Sequence, residues 1–484
     1  MTSPAQSAHL PLGVEAPRYA RSDLTVGIVH IGVGGFHRSH QAMYLDRLMN
    51  QGLARDWAIC GVGLLPGDAR MRDVLRAQDH RYTLVLRHPD GHEEVRVVGS
   101  LADYLFVPDD PAAVVSRMAD PATRLVTLTI TEGGYNLSEA TGEFAGDAAA
   151  IVADLADPAR PLTAFGLVVE ALRVRHERGI PPFAVLSCDN ISSNGDVARR
   201  AFSAYAALRD QELGRFVREE VAFPNSMVDR ITPQTTDADR ASLRERYGID
   251  DGWPVIAEPF AQWVVEDRFP LGRPDWDLVG AQLVDDVVPY EHMKLRLLNA
   301  SHQAMCFFGI LLGHRYVHEA VADPLIARLL RAYWDREGIV SLPGAAPGID
   351  LADYTATLLE RYGNPAIADT LARLAAETSD RIPKFLLPVV RDLLATGRPV
   401  DVSAAVVASW ARYAECRPDE VVDNRRSEVI AAAQRLSEDP VGFLRDPELF
   451  GDLADQGRFV DPYLRALTLL REQGVRVALE ALVG

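Results

Sequence analysis

Residues 25–37 read TVGIVHIGVGGFH. The apolar, β-rich run 25–31 stops at glycines, and residues 42–50 then carry apolar side chains at helical spacing. A strand, a glycine turn and a helix in that order open a βαβ unit, the building block of a parallel sheet. Gly32, Gly34 and Gly35, followed by Phe36, let the backbone come close to a pyrophosphate, and the helix start beyond them favours an anionic group. The full GxGxxG fingerprint needs glycine at 37, where this chain has His37. By itself, then, the turn also reads as a plain strand-to-helix connection.

Further short runs rich in β-formers lie at 57–61, 124–131 and 183–188, with a helical pattern at 162–179. Strands alternating with helices predict an α/β domain whose mostly parallel sheet is covered on both faces. Residues 83–86 and 94–98 read as an antiparallel extension of that sheet. Beyond about residue 286 helical periodicity takes over, at 289–312, 324–334, 354–362, 364–376, 383–394, 402–413 and 462–482, with a turn-rich piece at 338–348. There is no tandem repeat or low-complexity tract. The expectation is a Rossmann-like domain over 1–285 and a mainly α-helical domain over 286–484, with the active site in the cleft between them.

The whole chain has 484 residues, and a prior of ~150 residues per domain allows two or three domains. Net charge is −18, which argues against nucleic-acid or anionic-membrane partners, since both attract basic surfaces. Cys60, Cys188, Cys306 and Cys416 lie far apart and form no CxxC, so a disulfide framework and a Cys-rich zinc site are not expected, and a reducing cytoplasm fits. Residues 1–24 lack the apolar core of a signal peptide. The most apolar long segment, 289–313, contains Glu291, Lys294, Arg296, Asn299, His302 and Gln303, too many polar groups for a membrane span. His37 and His40 lack a carboxylate or thiol set for metal, and neither HExxH nor GxSxG is present.

Asp68 stands past the run WAICGVGL, the expected second strand. An acid beyond that strand's carboxyl end accepts hydrogen bonds from a ribose diol and repels a 2′-phosphate, which favours NAD over NADP. Asp56 is a rival by spacing but precedes the strand, and Arg70 nearby offers a partner for a phosphate. The segment YEHMKLRLLNASH at 290–302 carries the other candidates. On an α-helix Asn299 lies ~140° and His302 ~80° from Lys294, with ~12 Å of axis between Lys294 and His302. The surrounding leucines, methionines and phenylalanines would desolvate Lys294 and favour its neutral, basic form. The plain alternative is a lysine that snorkels to solvent beside a core histidine. Asn190 and Glu132 follow the runs FAVLSCD and RLVTLTIT, so both stand where ligands bind in open α/β sheets.

Together these features resemble the polyol-specific long-chain dehydrogenase/reductase family. The resemblance spans nearly the whole chain and rests on GVGGFHRSHQ (32–41), CGVGL (60–64), TITEGGY (129–135), SCDNISSNG (187–195), FPNSMVDRITP (223–233), EPFAQWVVEDRF (258–269), NPAIADT (364–370) and RIPKF (381–385). Its strongest element is the K-x4-N-x2-H spacing of Lys294, Asn299 and His302. The resemblance implies Lys294 as general base, Asn190 and Asn299 as oxyanion donors, and His302 as orienter of substrate hydroxyls. It also implies substrate binding by Asp229, Arg373 and Arg381, with Glu132 near the proton path. Position 381 is lysine in some relatives, and Gly67 stands where some carry a second acid before Asp68. The implied reaction is metal-independent, NAD-dependent hydride transfer between a polyol and a ketose, D-mannitol and D-fructose foremost, by a monomer. Open alternatives are reduction of fructuronate or tagaturonate, oxidation of arabinitol or sorbitol, and a non-catalytic NAD-binding sensor.

Overall fold

The structure, a computed structural model, describes residues 2–5, 10–137, 142–344 and 346–484. It forms two compact units, Met1–Val287 and Val288–Gly484.

The first unit is built on five strands: β1 (Val26–Ile31), β2 (Ala58–Gly63), β3 (Leu101–Phe106), β4 (Leu125–Leu128) and β5 (Ala184–Ser187). They form one sheet in the order β3-β2-β1-β4-β5, and every neighbouring pair is parallel. Successive side chains on a strand face opposite ways. Thus Val29, Ile31, Cys60, Val62, Val126 and Val185 pack into one core with Leu167, Val168 and Phe202. Ile28, Ile59, Leu125 and Leu186 pack into the other with Met43 and Leu45. Burial on both faces is why these strands read as continuous apolar runs. Strand order reverses between β1 and β4, and in such sheets the crevice beyond the carboxyl ends at the reversal is where ligands bind.

Residues 83–86 and 94–98 do form an antiparallel pair, within Tyr82–Arg87 and Glu93–Val98. They do not extend the main sheet, however. They belong to a separate four-stranded sheet with Val14–Glu15 and Val255–Ala257, and Val85, Val95 and Ile256 share a small core of their own with Leu243 and Ile249. A third sheet holds β6 (Ser226–Asp229), antiparallel to β7 (Gln262–Glu266), which is parallel to β8 (Gln282–Val284).

The second unit is helical. One long run comprises Val288–Met293, a π-helical turn Lys294–Asn299, and α1 (Ala300–Leu312). Two more π turns, Trp334–Gly338 and Ile382–Leu386, pack against the first. The expected helix at 364–376 is real only over Leu371–Ala375, because Ala368 takes φ +50° and Asn364 Oδ1 accepts the Ala366 N–H at 3.0 Å in a tight turn. The expected helix at 462–482 is two, Gly457–Glu472 and Val475–Val483, separated by Gly474 at φ +86°. The piece at 338–348 stays helical through Ser341, and its position 345 lies outside the described residues. Among the described residues no helix is long and apolar enough to cross a membrane.

α2 (Asp401–Cys416) is the central helix of this unit, with Val402, Ala405, Val406, Trp410 and Tyr413 all buried. Its N-terminal amides are satisfied by Glu337, whose carboxylate accepts from Val402 N at 2.7 Å and Ser403 N at 2.8 Å, and also from the Ser403 hydroxyl. Burial nevertheless pushes the Glu337 carboxyl up to about 7 from the ordinary 4.5. Between those values the folded protein holds a proton that the unfolded chain has lost. Stability therefore falls as pH rises through the window. Glu337→Gln is expected to flatten the decline in melting temperature between pH 5 and 7.5. An unchanged slope in thermal melts would show that Glu337 does not titrate there.

Candidate active site

At the end of β1, Gly32 takes φ +95°, and a Cβ there would lie 2.1 Å from the Thr129 carbonyl oxygen. Only glycine lets β1 turn this close to β4. Gly34 and Gly35 answer a different need. A Cβ at Gly34 would meet nothing nearer than Gly32 O at 4.0 Å, and one at Gly35 nothing nearer than Thr232 Cγ2 at 3.5 Å. Gly34 is exposed, and no side chain stands between its backbone and an approaching ligand. His37 occupies the third-glycine position. Its buried ring stacks on His30 of β1 with centroids 3.4 Å apart and planes 11° apart. This supplies the close helix-to-strand packing that a glycine would otherwise allow. His30 is also fixed by Thr127 Oγ1 at 2.7 Å and Thr129 Oγ1 at 3.0 Å. Burial drives the His30 imidazole down to about 3 and His37 well below its ordinary value, so both rings are neutral at physiological pH.

Asp68 closes a short 3-10 turn, Pro66–Asp68, beyond the carboxyl end of β2. Its Oδ2 accepts Leu64 N and Leu65 N, both at 2.9 Å, which fixes the carboxylate beside the crevice. Gly63 is needed behind it, since a Cβ there would meet Tyr104 Oη at 2.3 Å. Asp56 lies at the start of β2, paired with Arg124 at 2.8 Å. Arg70 lies over the Trp253 ring at 4.7 Å.

Glu132 and Asn190 follow β4 and β5, which are neighbours. Asp189, which carries no site motif of its own in the sequence, joins their loops. Its buried carboxylate accepts Ile130 N at 3.1 Å, Thr131 N at 2.8 Å and Tyr135 Oη at 2.8 Å. Thr131 sits at φ +64°, ψ 168°, a conformation essentially confined to glycine that costs ~1–3 kcal/mol in other residues. Asp189 holds that strained residue directly ahead of Glu132. The signal was visible as an acid ending an apolar strand. Asn194 donates to Asp189 O at 3.0 Å and Ser226 O at 2.8 Å, and accepts Ser226 N at 2.9 Å. It thereby anchors β6, whose last residue is the buried Asp229.

In the helical unit, Lys294, Asn299 and His302 lie on one helical run, but its geometry departs from the expected α-helix. Lys294 and Asn299 are the first and last residues of the π turn. A turn closed i→i+5 holds one residue more than an α turn. Asn299 therefore stands to Lys294 as residue i+4 stands to i in an α-helix, close beneath it, and not ~140° away. Both are buried, at 6% and 8% exposure, and the His302 ring lies 5.0 Å from the Tyr362 ring. Arg373 turns Nε and Nη2 onto the Asp369 carboxylate at 2.6 and 2.5 Å, which holds its guanidinium above the ordinary range. Arg381 donates to Arg373 O at 3.2 Å and Leu374 O at 3.0 Å, so it braces the backbone that carries Arg373. Among the described residues no three His, Cys, Asp or Glu side chains are grouped to hold a metal ion.

Two family models match: the mannitol dehydrogenase Rossmann domain over residues 26–278 and the mannitol dehydrogenase C-terminal domain over 286–470. The mannitol 2-dehydrogenase of Pyricularia oryzae is 44% identical over 482 residues, 97% of this chain and 96% of that one. A mannitol dehydrogenase of Saccharomyces cerevisiae is 43% identical over 477 residues, 96% and 94% of the two chains. Among solved structures, the Pseudomonas fluorescens mannitol 2-dehydrogenase in ternary complex with NAD and D-mannitol superposes with TM-score 0.88 at 44% identity, covering 99% of both chains. A substrate-free D-sorbitol dehydrogenase gives TM-score 0.91 at 38% identity, over 99% of this chain and 100% of its own. With both models matched and more than 40% identity along almost its full length, the chain belongs to the mannitol dehydrogenase family.

Proposed function

We propose that this chain is an NAD-dependent polyol dehydrogenase that interconverts D-mannitol and D-fructose without a metal, using Lys294 as general base. The observation that carries the reading is the π turn, which brings a buried lysine and a buried amide together within three residues of His302. NAD fits the first unit. Gly34 leaves space for a pyrophosphate, and the fixed Asp68 carboxylate offers acceptors to a ribose diol while repelling a 2′-phosphate. When bound, NAD+ supplies the hydride acceptor at nicotinamide C4. Everything else falls to the chain's own residues. Neutral Lys294 takes the proton of the secondary hydroxyl as its carbinol hydrogen leaves as hydride. The amides of Asn190 and Asn299 donate to the developing alkoxide, His302 orients the neighbouring hydroxyls, and in reduction the Lys294 ammonium returns the proton. Asp229, Arg373 and Arg381 set the substrate's position, and Glu132 is the acid near the proton path.

The cations favour an uncharged substrate over a sugar acid. Arg373 is paired with Asp369, Arg381 is engaged on backbone carbonyls, and Lys384 pairs with Asp380 at 2.6 Å. Sorbitol remains the second reading because of the similarity to the D-sorbitol dehydrogenase. A steady-state panel decides between them. kcat/KM is expected to rank D-fructose with NADH above D-fructuronate with NADH, and D-mannitol above D-sorbitol in oxidation. Dialysis against a chelator is expected to leave these rates unchanged. Preference for the uronate, or loss of activity on chelation, would contradict the proposal.

A further inference from the structure

Opening an α-helix into a π turn pulls carbonyls out of line with their usual amide partners, and a buried carbonyl without a donor is costly. Here three successive carbonyls inside the Lys294–Asn299 turn receive side-chain donors from elsewhere. Arg296 O accepts Tyr333 Oη at 2.8 Å, Leu297 O accepts Trp334 Nε1 at 2.8 Å, and Leu298 O accepts Tyr362 Oη at 3.1 Å. The Ser301 hydroxyl, 2.8 Å from Tyr362 Oη, also donates to Leu298 O at 2.9 Å. Tyr333 and Trp334 are adjacent where a second π turn begins, and Tyr362 ends the helix Leu351–Tyr362. All three rings are buried, and Tyr362 also lies against His302.

We infer that Tyr333, Trp334 and Tyr362 are positioning residues that hold the π turn open and so keep Asn299 beneath Lys294. The inference rests on the reading of Lys294 as the base. If the donors are lost, the segment can rewind toward i→i+4 bonding, which swings Asn299 round the axis away from Lys294. No donor reaches the substrate itself; each acts through the backbone that carries the lysine and the amide. Burial keeps the Tyr333 phenol protonated, which preserves it as a donor at every working pH.

The test is a double-mutant cycle on kcat and its pH profile. Tyr333→Phe and Tyr362→Phe each remove one hydroxyl and keep the ring. Each is expected to lower kcat for D-mannitol oxidation on the order of tenfold, with KM for NAD+ unchanged and the pH-dependent limb displaced. Combined with Lys294→Ala, either substitution should cost clearly less than it does alone, because the lysine it positions is gone and only the share carried by Asn299 is left to lose. A structural role alone would lower the melting temperature, leave the limb in place and add in full to the Lys294→Ala loss. Full kcat in both phenylalanine variants overturns the inference while Lys294→Ala still loses its rate. Near-native rate in Lys294→Ala overturns the base reading, and the inference with it.

Discussion

Replacing Lys294 by alanine is expected to lower kcat for D-mannitol oxidation by about a hundred- to ten-thousand-fold, the usual contribution of a positioned proton-transfer group. The effect should fall on kcat, since the glycine turn and Asp68 lie in the other unit. The sign of the pH dependence gives a second check. Oxidation needs the neutral amine, so log kcat/KM should rise with pH until Lys294 has lost its proton and then level. Reduction needs the ammonium, so its rate should fall across the same interval. Both limbs should vanish in Lys294→Ala. Lys294→Arg should be nearly as poor, because a guanidinium does not become neutral in the accessible range. A rate close to that of the native chain, or an intact limb in the alanine variant, would remove Lys294 from the mechanism.

Gly32→Ala and Gly34→Ala should fail in opposite ways, although the two positions are neighbours in one turn. At Gly32 the added methyl would sit 2.1 Å from Thr129 O and 2.9 Å from Thr129 C, at φ +95°. Backbone must move on one strand or the other, and the expected loss is about 3–5 kcal/mol of first-unit stability. At Gly34 the backbone is extended, φ −87° and ψ −174°, and the methyl meets nothing nearer than 4.0 Å. Stability there should change by no more than about 0.5 kcal/mol. The methyl would instead occupy the space proposed for the pyrophosphate, weakening NADH binding on the order of tenfold, about 1.4 kcal/mol. Thermal melts and NADH fluorescence titrations separate the two. An unstable Gly34→Ala, or a stable Gly32→Ala, would contradict the division of labour.

What the sequence reveals follows from burial. β1, β2, β4 and β5 are legible because strands covered on both faces are nearly all apolar. β3 is not, because its apolar run is interrupted, with Ala102, Asp103 and Leu105 only half-buried, whereas β5, at the other edge of the sheet, is buried throughout. The antiparallel pair within Tyr82–Arg87 and Glu93–Val98 is legible as a pair but not in its sheet membership, which depends on Val255–Ala257 more than 150 residues away. The site shows the same division. Lys294, Asn299 and His302 announce themselves by residue type and spacing. Their angular arrangement does not, because the π turn is held by Tyr333, Trp334 and Tyr362, which only the tertiary fold brings there. Asp189 escapes for a related reason. Its role lies in donors from a different loop, Ile130, Thr131 and Tyr135.

Direct hydride transfer from a polyol carbinol to NAD, with Lys294 as the proton acceptor, is the reading proposed on the π turn. Its most direct test is oxidation of D-mannitol deuterated at C2 and C5, with NAD+ and chelated buffer, followed by mass and NMR analysis of both products. The expected result is D-fructose and reduced nicotinamide in equal amounts, deuterium at nicotinamide C4, and neither product from the Lys294→Ala variant on the same timescale. Product free of cofactor-bound deuterium, or equal yield from the variant, would contradict it.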